Sequence, residues 1–246
     1  MADTLRGGQH QLIGAGPLPR NVQTELKSCV CGSSACLLFE FPLPSTSSSI
    51  HAISARHTII HPRESSEYVT IICHGWAVRS IMAPDGHRQI LSFLLPGDLI
   101  SAANLFAPML GNFVDTITDV TYRKFKQNEL KAILFERPAL LEKLSTILID
   151  ERAQADQLAL NIGRKSAHKR IAWLILNLAK RLTKAEIVDG QRIDFPLRQH
   201  HIAHATGLTH IYVGKVLGEF QRAGLIEISD RSLRIIDKEN LRHAAG

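Results

Sequence analysis

The run Gln199-His200-His201-Ile202-Ala203-His204-Ala205-Thr206-Gly207-Leu208-Thr209-His210-Ile211-Tyr212-Val213-Gly214-Lys215-Val216-Leu217 places hydrogen-bonding side chains at the spacing of one helix face. Two helices that cross at a sharp angle need a small residue at the crossing and a turn residue free to take positive φ. Ala203 and Gly207 stand at those positions. Leu208, Val213, Val216 and Leu217 plug the angle. Thr209 is a good N-cap for the second helix, and its hydroxyl can also approach a backbone phosphate. His210, Ile211, Gly214 and Lys215 fall on the exposed side of the first turns, from which a helix lying in a major groove reaches base edges. Tyr212 has two equal uses, closing the core between the helices or offering its hydroxyl to a phosphate. Arg198, Lys169, Arg170 and Arg222 supply cations nearby, solvated surface charge being the plainer reading of any single one. The chemistry expected here is non-covalent recognition of DNA by a helix-turn-helix.

Thiol chemistry is the second possibility. Cys29, Cys31, Cys36 and Cys73 all lie in the N-terminal half. Without a secretory leader, structural disulfides are disfavoured, which leaves redox chemistry, metal ligation or burial. Cys73, alone on an apolar strand, reads as a core thiol. His200, His201 and His204 also invite a metal reading, but they occupy the scaffold helix of the helix-turn-helix, where a solvated or phosphate-facing role is the simpler one. No nucleophile elbow with a Ser/His/Asp set, no phosphate loop and no paired carboxylates in a catalytic context are found, so the chain is not expected to be an enzyme.

These groups must be positioned by elements whose texture changes along the chain. Residues 164–246 hold 15 Lys+Arg against 8 Asp+Glu, whereas residues 1–163 hold 14 against 15, so the basic part coincides with the helix-turn-helix and suits a polyanion. Leu225 to Ser229 and Leu233 to Ile236 alternate like strands around Asp230-Arg231-Ser232, which makes a wing. Residues 1–49, rich in Gly, Pro and Ser, read as a flexible cysteine-containing arm. Residues 50–137 show short β-branched runs broken by His74-Gly75, Pro84-Asp85-Gly86 and Pro96-Gly97-Asp98, as in a small antiparallel roll, with a short helix at its end.

A long helix over 138–163 follows, with Pro138 in its first turn. Leu141, Leu144, Leu148, Glu151, Ala155, Leu158 and Ile162 recur at spacings of three and four, a coiled-coil seam about 30 Å long. A dimer interface is its natural use. Packing of the stripe on the chain's own roll is the alternative, and both can hold on different faces. Residues 164–246 then form the winged helix-turn-helix domain. The fold class is α+β, no apolar run suffices for a membrane span, and no signal peptide is convincing, so a cytoplasmic protein is expected.

A β-roll, a long helix and a winged helix-turn-helix in this order resemble the CRP/FNR superfamily of bacterial transcription regulators. The echoes are Gly75 after a strand, Asp85-Gly86 in a hairpin, Gln89 to Leu95 before Pro96-Gly97-Asp98, and Gly207-Leu208-Thr209 with Val213-Gly214-Lys215-Val216-Leu217. The resemblance covers about residues 50–240. It implies a cyclic-nucleotide-binding-like jelly roll and a homodimer that reads a near-palindromic site in double-stranded DNA. RNA polymerase is a further expected partner.

Two departures qualify the likeness. Where cyclic-nucleotide binders of the family have Gly-Glu, this chain has Ser101-Ala102-Ala103-Asn104, and no Lys or Arg follows before Asp119, so cyclic AMP is not the expected ligand. Ile211 and Lys215 replace the family's usual Glu and Arg, which implies a different preferred site.

Cys29-x-Cys31-x4-Cys36 resembles the amino-terminal motif that holds an iron–sulfur cluster in FNR-type proteins, though the first pair is spaced differently and Arg123 stands near the expected position of the fourth ligand. Cys73, or His57, His61 or His74, is left to complete such a site. A redox or metal-binding module whose winged helix is a protein interface is the rival reading. Salt discriminates between them, because phosphate contacts weaken steeply as it rises.

Overall fold

The computed structural model describes residue 37 and residues 48–64, 67–100, 102–106, 111–184, 188–189 and 192–246. Seven strands come first: β1 (Ser48–Ile53), β2 (Thr58–Ile60), β3 (Tyr68–His74), β4 (Ala77–Met82), β5 (Arg88–Leu94), β6 (Phe113–Thr116) and β7 (Val120–Lys126). They form two antiparallel sheets, ordered β1-β7-β3 and β2-β6-β4-β5. Alternation on β3 shows why they stack. Ile72 faces the second sheet through Ile60, Ala77, Leu94 and Val114, while Val69 and Ile71 belong to a cluster with Phe125 and the helices that follow. Gly75 carries φ +85°, and a Cβ there would lie 2.1 Å from the Asp119 carbonyl oxygen, so the tight turn between β3 and β4 requires glycine.

Helix α1 (Gln127–Glu136) leads to α2 (Pro138–Arg164), which begins with its proline in the first turn. Leu140 and Leu144 of α2 are buried in the cluster with Leu130, Leu134 and Phe125. Leu37 is fully buried in the same cluster, so the N-terminal arm is anchored at this apolar position rather than flexible throughout, and Ser48 and Ser49 already belong to β1.

The C-terminal part comprises α3 (Ala167–Lys184), β8 (Val188–Asp189), β9 (Arg192–Asp194), α4 (Gln199–Thr206), α5 (His210–Arg222), β10 (Ile226–Ser229), β11 (Ser232–Ile235) and α6 (Lys238–Ala245). The wing is one edge of a four-stranded sheet ordered β10-β11-β9-β8. Asp230 and Arg231 make its turn at φ 47° and 61°, the left-handed pair that suits the twist of a two-residue hairpin. No helix among the described residues is long and apolar enough to cross a membrane.

The roll and the C-terminal part share one core. Trp76, Val78, Ile90, Phe93 and Leu95 of the roll cluster with Ile171, Ile175, Ile202 and Val213. Arg181 of α3 fastens the junction, donating to the Phe93 carbonyl at 2.9 Å and to Asp98 Oδ2 at 2.5 Å. Asp98 is held in turn by the Leu95 amide at 2.8 Å.

Candidate nucleic-acid interface

Helix α5 is positioned from both ends. Gly207, at φ 65° and ψ 37°, ends α4 in the left-handed conformation that most residues avoid. Thr209 caps α5, its hydroxyl accepting from the Tyr212 amide at 3.3 Å. Val213, Val216, Leu217 and Phe220 turn inward, and Ala203 is buried where the helices meet. The opposite face carries His210, Ile211, Tyr212 and Lys215, all exposed, with Ile211 75% exposed. An isoleucine that exposed, on a helix that has a well-filled core face, offers an apolar contact to a partner outside the chain.

Tyr212 stands on the outer face and not in the core. Lys215 Nζ lies 5.9 Å from its ring centroid, a cation–π contact that pairs the two side chains on the surface. Gly214 differs from the sequence expectation. It is half-buried, and a Cβ there would come within 3.0 Å of the Gln199 side-chain amide, so its role is the close approach of α4 and α5 rather than direct access to a base.

The neighbouring cations divide. Arg198 is exposed at the N-cap of α4. Arg170 is engaged within the chain: its guanidinium donates to the Thr206 carbonyl at 3.0 Å and the Lys165 carbonyl at 2.8 Å, where a cation also favours the negative end of α4. Arg222 reaches back to the Gly218 carbonyl at 3.2 Å, and Lys169 is exposed.

The histidines of α4 form a cluster, with the rings of His200 and His201 tilted at a centroid distance of 4.0 Å and those of His200 and His204 edge-on at 6.1 Å. Burial, then His200, Arg198 and His204, lower the His201 pKa to about 4. Burial first, then neighbouring positive groups, also lower those of His200 and His204. The Arg198 amide donates to His201 Nδ1 at 3.0 Å, so the neutral ring closes the first turn of α4.

Residues 169–244 match the Crp-like helix-turn-helix domain. The transcriptional activatory protein AadR of Rhodopseudomonas palustris is 28% identical over 194 residues, 74% of this chain and 78% of AadR. The nitrogen fixation regulation protein FixK of Bradyrhizobium diazoefficiens is 31% identical over 157 residues, 63% of this chain and 65% of FixK. The solved structure of FixK2 from Bradyrhizobium japonicum shares the fold, with a TM-score of 0.73 at 22% identity, covering 81% of this chain and 98% of that one. The chain carries a Crp-like helix-turn-helix domain and is similar to transcription regulators of the CRP/FNR superfamily. Members are transcription regulators that bind DNA through this helix-turn-helix.

The CRP/FNR fold also leaves a cavity of about 270 Å³ between the roll and α2. Arg79 of β4 occupies it, paired with Glu151 of α2 at 3.7 Å. Burial raises the Glu151 carboxyl, while Arg79 opposes that rise. Neither residue was singled out for this cavity by sequence reasoning, although Glu151, a charge interrupting an apolar seam, was the available signal.

The seam divides between a face packed on the chain's own roll and a face left outside. Leu144, 2% exposed, is buried in its own roll. Leu158 and Ile162, half-buried, line a small cavity against β5 and α3. Leu141 and Ala155 are exposed, and Leu148 sits half-buried at the border. Each residue advances about 100° around a helix, so Leu144 is turned some 60° from Leu141 toward the roll.

Among the cysteines, Cys29, Cys31 and Cys36 lie outside the described residues. Cys73 is half-buried on β3, its thiol donating to the Ile71 carbonyl at 3.8 Å. Among the described residues no three His, Cys, Asp or Glu side chains converge as a metal site, and His57, His61 and His74 do not close one around Cys73.

Proposed function

We propose that the protein is a cytoplasmic, homodimeric transcription regulator in which α5 reads a near-palindromic promoter site from the major groove. The carrying observation is the division of α5 into a buried apolar face and an outer face of His210, Ile211, Tyr212 and Lys215. In this reading His210, Ile211 and Lys215 meet base edges, while Thr209, Tyr212 and Arg198 take phosphates. Gly214 lets α5 sit close on its scaffold helix.

The second copy packs on the outer face of α2. Leu141, Ser145, Leu148, Arg152, Ala155 and Ala159 follow at spacings of four and three, and exposed Ile149 and Leu160 flank them. Arg152 and Asp156 pair on that face at 3.0 Å. Two-fold symmetry then presents two α5 helices to two half-sites. RNA polymerase is the partner expected downstream of DNA binding.

The signal enters through the N-terminal arm or the roll. Cys29, Cys31 and Cys36 form the sequence's one concentration of soft donors, and the arm is fastened to the roll at Leu37, the residue after Cys36. With Cys73 they make a set of four thiolates, the donor chemistry of an iron–sulfur cluster. Cyclic AMP is not the effector in this reading, because Arg79 and Arg181 of the cavity lining are already committed to Glu151 and Asp98.

Selection of bound DNA from a random pool, with protein purified without oxygen and again after air exposure, tests these assignments. An enriched palindrome supports the dimeric regulator, and a visible chromophore lost in air together with binding supports the cysteine sensor. Absence of enrichment in both states refutes the DNA-reading role. Enrichment by colourless protein, unchanged in air, moves the signal to the roll.

A further inference from the structure

Among the exposed side chains at the start of α5, Ile211 has no hydrogen-bonding group. It is 75% exposed, stands beside His210 and Tyr212 and one turn before Lys215, and belongs to none of the apolar clusters among the described residues. The inward positions of the same helix, Val213, Val216, Leu217 and Phe220, hold its core contacts. The free chain therefore leaves in water a large apolar side chain whose burial on a partner would be favourable.

Its placement is rigid. The Val213 amide donates to the Thr209 carbonyl at 3.0 Å and the Tyr212 amide to the Thr209 hydroxyl at 3.3 Å, so Ile211 lies in a closed first turn. β-branching leaves isoleucine one strongly preferred χ1 in a helix, and the side chain meets a partner with little rotamer freedom to lose. Residues four apart share one ridge, so Ile211 and Lys215 address neighbouring places on that partner. Lys215 Nζ, 5.9 Å from the Tyr212 ring centroid, is drawn toward the tyrosine, and Ile211 stays uncovered.

The base edges of the major groove carry donors, acceptors and one kind of apolar group, the methyl on C5 of a pyrimidine. A hydrocarbon side chain pressed on a donor or acceptor leaves that group dry and unpaired, at a cost. Against the methyl it only gains. We propose that Ile211 reads a pyrimidine C5 methyl, that of thymine or of 5-methylcytosine, within about two base pairs of the base met by Lys215, a distance set by one helical turn against the rise of the duplex. The inference rests on the reading of α5 as the recognition helix. Selectivity at this position then comes from apolar contact: uracil and cytosine carry hydrogen at C5 and forgo it. Methylation of a cytosine placed there raises affinity without changing any hydrogen-bonding group of the pair.

The test uses the full chain and the palindrome it selects from a random pool, in which thymine should be enriched beside the base whose preference Lys215→Ala relaxes. Duplexes with thymine, uracil, cytosine or 5-methylcytosine at that position, each opposite its proper partner base, are compared by affinity at one salt concentration. Thymine differs from uracil only by the methyl, as 5-methylcytosine does from cytosine. Each methyl should gain about fourfold in affinity, and methyls in both half-sites about fifteenfold. Ile211→Ala withdraws the branched chain from an exposed position, so its circular dichroism should match that of the wild type while the methyl gain falls below about twofold. Lys215→Ala, with selectivity lost at its own base, should keep the methyl gain.

Equal affinity for thymine and uracil, or a methyl gain that survives in Ile211→Ala, overturns the inference and leaves the role of α5 intact. A selected site without thymine beside the Lys215 base does the same. A gain confined to thymine over uracil keeps the methyl contact and overturns the reading of methylated cytosine. A chain that selects no DNA at all refutes the reading of α5 and this inference with it.

Discussion

Replacing His201 by glutamine should remove a large part of the acid sensitivity of the DNA-reading part. His201 is the third residue of α4, and its Nδ1 accepts from the Arg198 amide at 3.0 Å. Protonation turns that acceptor into a donor and opens the cap. Burial, aided by His200, Arg198 and His204, lowers its pKa from 6.5 to about 4. The unfolded chain therefore takes up the proton near pH 6.5, while the folded chain resists until about pH 4.

Stability from this residue is complete above about pH 6.5 and is lost as the pH falls toward 4. Between pH 7.5 and 5.0 the linkage amounts to about 2 kcal/mol, reduced to about 1 kcal/mol because the ring is partly exposed and solvent screens it. Glutamine at the third helical position still reaches back to the N-cap amide and does not titrate.

Urea unfolding followed by tryptophan fluorescence measures this, since Trp76 lies in the shared core and Trp173 packs against it. The fall in stability from pH 7.5 to 5.0 should be about 1 kcal/mol smaller in His201→Gln than in wild type. His200 and His204, also lowered chiefly by burial, leave a residual acid dependence of the same sign. An identical fall in the two proteins would refute the assignment of this sensitivity to the His201 cap.

Lys215→Ala should relax base preference by about 1–3 kcal/mol at one position of each half-site, read by repeating the DNA selection; unchanged selection places α5 wrongly in the groove. Leu148→Glu should split the proposed dimer in sedimentation while the monomer stays folded, whereas Leu144→Glu should unfold the roll because that side chain has no exposed alternative. Arg170→Ala removes donors from the Thr206 and Lys165 carbonyls and should cost about 1–3 kcal/mol in unfolding free energy. Gly75→Ala, with its Cβ driven against the Asp119 carbonyl oxygen, should destabilise the roll by more than about 2 kcal/mol in the same assay.

The helix-turn-helix was legible because its constraints are local. A small residue, a left-handed glycine, an N-cap and an apolar period fall within twenty positions, and each has one physical purpose. The wing hairpin was legible for the same reason. Strand β9, by contrast, is three residues long and exists through its pairing with β11, where Ile193 lies opposite Leu233. Nothing within Arg192–Asp194 announces that partner.

What the sequence by itself determined is what neighbours along the chain decide: the type and order of the elements, the capped and exposed face of α5, the basic C-terminal part and the turns that need glycine. Tertiary structure alone decided which side of α2 is covered. A seam of threes and fours is satisfied equally by a second copy or by the chain's own roll, and only the packing of Leu140 and Leu144 beside Phe125 assigns them inward and leaves Leu141 and Ile149 outside. It also decided that Arg170 is a helix clamp while Arg56, Arg198 and Arg231 share a cleft. An arginine reads the same in any sequence, and its role follows from the carbonyls, carboxylates or opposing charges that distant segments bring within reach.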